Sequence, residues 1–112
     1  MPLINVRTNI SDVQEASALL KKLSSALAAA TGKPESYVMT LLESEVPMTF
    51  AGNEEPCAYV EIKSIGFLTP PAMTDQFCEL IKASLGIEKD RTYVGFNDVN
   101  TSDWGRNGRI FG

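Results

Sequence analysis

The sequence predicts a two-layer α/β domain of the α+β kind, in which duplicated βαβ units form a four-stranded mixed sheet with two helices on one face. Three observations predict it. The chain has 112 residues, enough for one compact domain spanning 1–112. Two stretches, 2–45 and 57–99, each read strand, helix, strand. Their matching parts, LSSALAAATGKPESYVMT and LIKASLGIEKDRTYVGF, share a Leu-rich helix end, a glycine, a polar turn and a Tyr-Val strand.

The elements follow in order. Leu3 to Thr8 alternates as a strand does, and Pro2 stands where proline is tolerated, at a strand start. Ser11 and Gln14 have the spacing of a capping box, which predicts a helix start there. Val13, Ala16, Leu20, Leu23, Leu27 and Ala30 recur at steps of three and four and mark one helix face, which Gly32 ends at a C′ position. Tyr37 to Leu42 reads as the second strand and Ala58 to Ile65 as the third. Thr69-Pro70-Pro71 opens a second helix with Met73, Phe77, Leu80, Ile81 and Leu85 on its apolar face, and Gly86 ends it. Arg91 to Phe96 is the fourth strand. Pro47 to Phe50 and the tail Gly108 to Gly112 are short, suited to edge strands that pair with another subunit.

Composition narrows the chemistry. An apolar fraction of 44% and a charged fraction of 21% are ordinary for a soluble globular chain. The net charge of −4 and the lack of a basic stripe argue against nucleic acid as a partner. With no histidine in the chain, histidine triads, histidine acid/base work and zinc sites built on histidine are excluded. No metal or cofactor site is expected. Cys57 and Cys78 have no CxxC spacing and are expected to be buried, reduced thiols. No signal peptide and no membrane-spanning apolar run is visible, so the expectation is a cytoplasmic protein without a membrane partner, with export by a leaderless route left open.

Proton chemistry must then come from another group, and Met1-Pro2 supplies a candidate. Methionine before a small second residue is usually trimmed, which would leave Pro2 as a free secondary amine at the end of a rigid strand. Desolvation by an apolar wall lowers the pKa of such an amine. A base tuned toward neutrality is what proton abstraction beside a carbonyl requires. The plainer reading is that Pro2 merely begins a strand.

Met-Pro at the start, ATGKP after the first helix, EPCA before the third strand, SIG at its end and DRTYVGFND in the fourth strand resemble the macrophage migration inhibitory factor family of the tautomerase superfamily. The resemblance runs over essentially the whole chain at near-constant spacing. It implies the duplicated βαβ fold assembled as a homotrimer, with active sites at subunit interfaces. It also implies cofactor-independent keto–enol tautomerisation of phenylpyruvate-like α-keto acids, with the processed Pro2 as base and acid. By the same resemblance Lys33 contacts the substrate carboxylate and disfavours the Pro2 ammonium, Ile65 offers its backbone N–H to that carboxylate, and Tyr93 is supplied by the neighbouring subunit. Leu3, Tyr37, Trp104 and Phe111 could wall the pocket. Read without the resemblance, Lys33 is a solvated cation at a helix C-terminus, Ile65 a core strand residue and Tyr93 an ordinary strand aromatic.

Three departures from the family pattern stand out. Gly95 occupies the place of an asparagine in the cytokine member, which removes a donor to the far end of the substrate. The CxxC of that member is here Cys57-Ala58-Tyr59-Val60, which leaves dithiol exchange without a resolving partner. The tail DWGRNGRIFG moves the tryptophan and brings Arg106 and Arg109 near the expected pocket mouth, where the reading leans slightly toward solvent-facing side chains. A secreted signalling or receptor-binding protein with a vestigial pocket is the competing reading. Activity on haloacrylates or unsaturated diacids is a third, kept open by the two arginines.

Overall fold

A computed structural model describes residues 1–111 of the chain. Its main sheet has the order β2-β1-β3-β4, built from β1 (Leu3–Thr8), β2 (Met39–Glu43), β3 (Ala58–Ser64) and β4 (Thr92–Asp98). Helix α1 (Ala16–Thr31) joins β1 to the parallel β2, and α2 (Pro70–Leu85) joins β3 to the parallel β4. The two units meet through the antiparallel pair β1 and β3, with Leu3 opposite Lys63 and Thr8 opposite Ala58. A small hairpin of β5 (Gly105–Arg106) and β6 (Arg109–Ile110) ends the described chain.

The two-residue period of the strands separates the faces of the sheet. Ile4 and Val6 of β1 and Val60 and Ile62 of β3 are fully buried and join the helix residues in one core. From α1 that core takes Leu19, Leu23 and Leu27, and from α2 it takes Met73, Phe77 and Ile81. Phe77 has no exposed surface, and burying such a ring contributes roughly 1.5–3 kcal/mol. The other face carries Leu3, Asn5 and Arg7 beside Tyr59, Glu61 and Lys63, with Glu43 receiving hydrogen bonds from Asn5 at 2.9 Å and Arg7 at 2.8 Å. Both helices stop at a glycine in the left-handed region, Gly32 at φ 68° and Gly86 at φ 70°, a conformation that side chains resist.

Two local expectations are corrected. The capping box at Ser11 does not form: Glu15 is left-handed at φ 54°, Gln14 donates to Asp12 at 3.0 Å, and the helix begins only at Ala16. Val13 is therefore off the helix, and Leu19 is the first core contact. Tyr37 and Val38 are not in β2. Their amides donate to Pro34 and Glu35 carbonyls at 3.0 Å, closing a 3-10 turn over Glu35–Tyr37 before Met39 enters the sheet. Pro47 to Phe50 joins no strand within the chain. Phe50 and Asn53 exchange backbone hydrogen bonds across a tight turn, and the Arg91 guanidinium holds the segment by donating to the carbonyls of Phe50, Glu55 and Pro56. The tail forms the β5–β6 hairpin within the chain, and Gly112 lies outside the described residues. Cys57 and Cys78 are free and buried, as expected.

Candidate active site

Strands β1 and β2 start side by side, because Leu3 pairs with Met39 in parallel register. The Met39 N–H donates to the Pro2 carbonyl at 3.1 Å, which fixes the first residues of the chain against the entry of β2. The 3-10 turn just before β2 brings Tyr37 to the same place, and the Phe111 N–H donates to the Trp104 carbonyl at 3.0 Å, folding the tail over it. A cavity of about 230 Å³ results. Pro2, Leu3, Tyr37, Trp104 and Phe111, all singled out in the sequence, line it together with Val38, Met39 and Arg106. Pro2 itself is fully buried.

The electrostatics of this end of the chain favour a neutral amine. Burial first, and the positive charge of Lys33 second, hold the N-terminal amine below its ordinary pKa. Lys33 follows the left-handed Gly32, and its own N–H donates to the Ala28 carbonyl at 3.2 Å. Its ammonium stands 4.2 Å from the centroid of the Phe67 ring. Phe67 is itself left-handed at φ 61° and follows Gly66, whose N–H donates to the Asp98 carboxylate at 2.9 Å. Ile65 is half-buried, one residue beyond β3, and does not line the cavity. The register nevertheless carries the end of β3 alongside the start of β1.

Tyr93 is not at this cavity in the same chain. It pairs with Tyr59, which lies opposite Arg7, so it sits at the other end of the sheet from Pro2. There it is 66% exposed and packs on Phe50 with ring centroids 5.0 Å apart. Gly95 is backed by Tyr59: a Cβ placed on it would come within 3.2 Å of the phenol oxygen, which itself donates to Glu61 at 3.1 Å.

Ser36, Val38, Met39 and Gly105 also line the cavity, and the sequence singles out none of them. Val38 and Met39 read in the sequence as plain strand residues of the second strand. Arg106 stands at the cavity, as its expected place near the pocket mouth implies, and its side chain turns inward, with the guanidinium carbon 4.8 Å from the Tyr37 ring centroid. A signal for it existed: Asn107-Gly108 is a strong two-residue hairpin sequence, and the two residues adopt φ 55° and 75°.

A desolvated amine, a nearby ammonium and apolar walls can bind a small anionic carbonyl compound and move one of its protons. The chain is also similar to known proteins. The family described as macrophage migration inhibitory factor matches residues 1–112. A macrophage migration inhibitory factor homologue of Brugia malayi is 39% identical, with all of both chains covered. Macrophage migration inhibitory factor of Xenopus laevis is 32% identical over 99% of each chain. The crystal structure of a homologue from Prochlorococcus marinus superposes with a TM-score of 0.95 at 50% identity, covering 98% of this chain and 99% of that one.

Proposed function

The chain belongs to the macrophage migration inhibitory factor family, within the tautomerase superfamily, and from that premise we propose that it is a cofactor-independent keto–enol tautomerase of phenylpyruvate-like α-keto acids. The observation that carries this reading is the position of Pro2, fully buried at the wall of a cavity, next to a Met1 amine that burial and Lys33 hold below its ordinary pKa. Removal of Met1 turns the Pro2 nitrogen from an amide into a secondary amine at that place. The amine takes a proton from the substrate's β-carbon, the C–H electrons form the enol double bond, and the same proton is delivered to the former carbonyl oxygen. No electron leaves the substrate and no second reactant is needed.

Lys33 receives the carboxylate in this reading, with the Ile65 amide as a second donor, and Leu3, Tyr37, Trp104 and Phe111 exclude water around the ring. Tyr93 enters from a neighbouring subunit. A homotrimer supplies that neighbour and covers the sheet face that carries Arg7, Glu43, Glu61 and the exposed Tyr93. The test is phenylpyruvate tautomerisation against pH on protein whose mass lacks Met1. A rate that rises through one ionisation below the range of a free secondary amine, and falls by about 10²-fold or more in Pro2→Ala, supports the base. Wild-type activity in that variant overturns it.

Resemblance to relatives named as migration inhibitory factors favours a second reading, a signalling protein whose pocket is a recognition site. Receptor-ectodomain binding that survives in Pro2→Ala, without any tautomerase rate in the parent, would favour it.

A further inference from the structure

Arg106 and Arg109 face each other across the tail hairpin as a directly opposed pair. Like charges so placed destabilise a hairpin. Neither has an acidic partner within ion-pair distance among the described residues, where the pairs formed use Arg7, Lys63, Lys82 and Lys89. In a chain of net charge −4, with 14 acidic residues, two adjoining guanidiniums without a side-chain carboxylate among the described residues are an unbalanced local charge. Their location is specific. Arg106, Tyr37 and Phe111 line both the Pro2 cavity and an adjoining surface groove, and Arg109 lines that groove. The two cations near Pro2 are held by different rings on different segments, Lys33 by Phe67 and Arg106 by Tyr37. Arg106 lines the cavity itself, whereas Lys33 is not among its lining residues and acts on the N-terminal amine by its charge.

We propose that Arg106, with Arg109 behind it, is a specificity-determining site for a second carboxylate, so that the pocket takes α-keto acids bearing an additional anionic group at the end remote from the keto acid. The keto-acid end of this assignment rests on the tautomerase reading, whereas the anion site does not. A guanidinium on an aromatic face keeps its N–H edges available, and a carboxylate can take them in pairs. The bound anion would also screen Arg106 from Arg109, relieving the repulsion that the empty hairpin carries.

The experiment compares para-carboxyphenylpyruvate with its neutral isostere para-carbamoylphenylpyruvate, by kcat/KM, in the parent protein and in Arg106→Gln. The expected result is a preference for the acid of about tenfold or more, lost in the variant and reduced by salt. Arg106→Lys, which keeps the charge without the fork, should retain part of it. Binding of the non-enolising para-carboxyphenylpropanoate and its carbamoyl counterpart is followed in parallel through Trp104, the only tryptophan and a wall of the cavity. Equal affinity for acid and amide, or a preference that Arg106→Gln leaves intact, overturns the proposal. If neither keto acid nor phenylpyruvate is turned over, the tautomerase reading fails, and the Trp104 titration still decides the anion site.

Discussion

The Lys33 ammonium lies 4.2 Å from the centroid of the Phe67 ring, and Phe67 holds that ring in place from a left-handed backbone at φ 61°. A non-glycine residue in that region costs roughly 1–2 kcal/mol, while the exposed cation–π contact returns about 0.5–1 kcal/mol. The ring is 67% exposed, so little burial offsets the strain. Phe67→Gly should therefore leave the thermal midpoint unchanged or higher. If Lys33 binds the substrate carboxylate, the same variant should raise KM for phenylpyruvate about two- to fivefold, the equivalent of the lost contact, with a smaller change in kcat. Phe67→Tyr keeps the ring and should keep the parent KM. A KM that does not move in Phe67→Gly would show that Lys33 needs no such support.

The pH profile tests the second role of Lys33. The N-terminal amine is held below its ordinary pKa by burial and by the Lys33 charge. Trimming Met1 moves the amine one residue along the chain, to the Pro2 nitrogen at the wall of the same cavity. A base works in its unprotonated form, so a lowered pKa extends activity downward in pH. Removing a like charge favours the ammonium. Lys33→Met should therefore shift the rising limb of kcat/KM to higher pH, in addition to raising KM. A limb that stays in place would leave burial as the whole cause.

The elements with strict periodicity were legible, and those set by turns were not. Ile4, Val6, Val60 and Ile62 alternate in strands, and Met73, Phe77 and Ile81 repeat on α2, so the sheet, its helices and most of the core could be read directly. The start of α1 could not. Ser11 to Gln14 has the composition of a cap, yet the chain passes through Glu15 in a left-handed turn, which composition does not encode. Around the candidate site, Pro2 and the aromatic walls carried their own chemistry in the sequence. The inward turn of Arg106 was not legible, because it depends on how the Asn107-Gly108 hairpin folds back. Tyr93 could be assigned only through a resemblance, since within one chain it lies at the far end of the sheet.

Gly95 and Tyr59 should be energetically coupled. Alanine in place of a strand glycine gains about 0.5–1 kcal/mol from reduced unfolded-state freedom. A Cβ at Gly95 meets the Tyr59 phenol oxygen at 3.2 Å and would press it away from Glu61. The two effects oppose each other, so Gly95→Ala alone should be nearly neutral. With Tyr59→Phe the phenol oxygen is gone, and the same substitution should stabilise by about 0.5–1 kcal/mol. A double-mutant cycle by chemical denaturation measures the difference. Strict additivity would mean that the Tyr59 ring moves aside freely.

Retention of Met1 should be the most damaging single change to activity. Met1 lines the cavity beside Pro2, so it takes up space that substrate needs. It also ties up the Pro2 nitrogen in a tertiary amide, which has no basic lone pair. General base catalysis contributes about 10²–10⁴-fold, and that is the loss expected for protein whose intact mass includes Met1. Digestion with methionine aminopeptidase should restore the rate in proportion to the trimmed fraction. The fold should be indifferent, because Met1 precedes β1 and the Met39 N–H bonds to the Pro2 carbonyl, which trimming leaves intact. Equal rates before and after digestion would remove the Pro2 amine from the mechanism, whatever the pH profile shows.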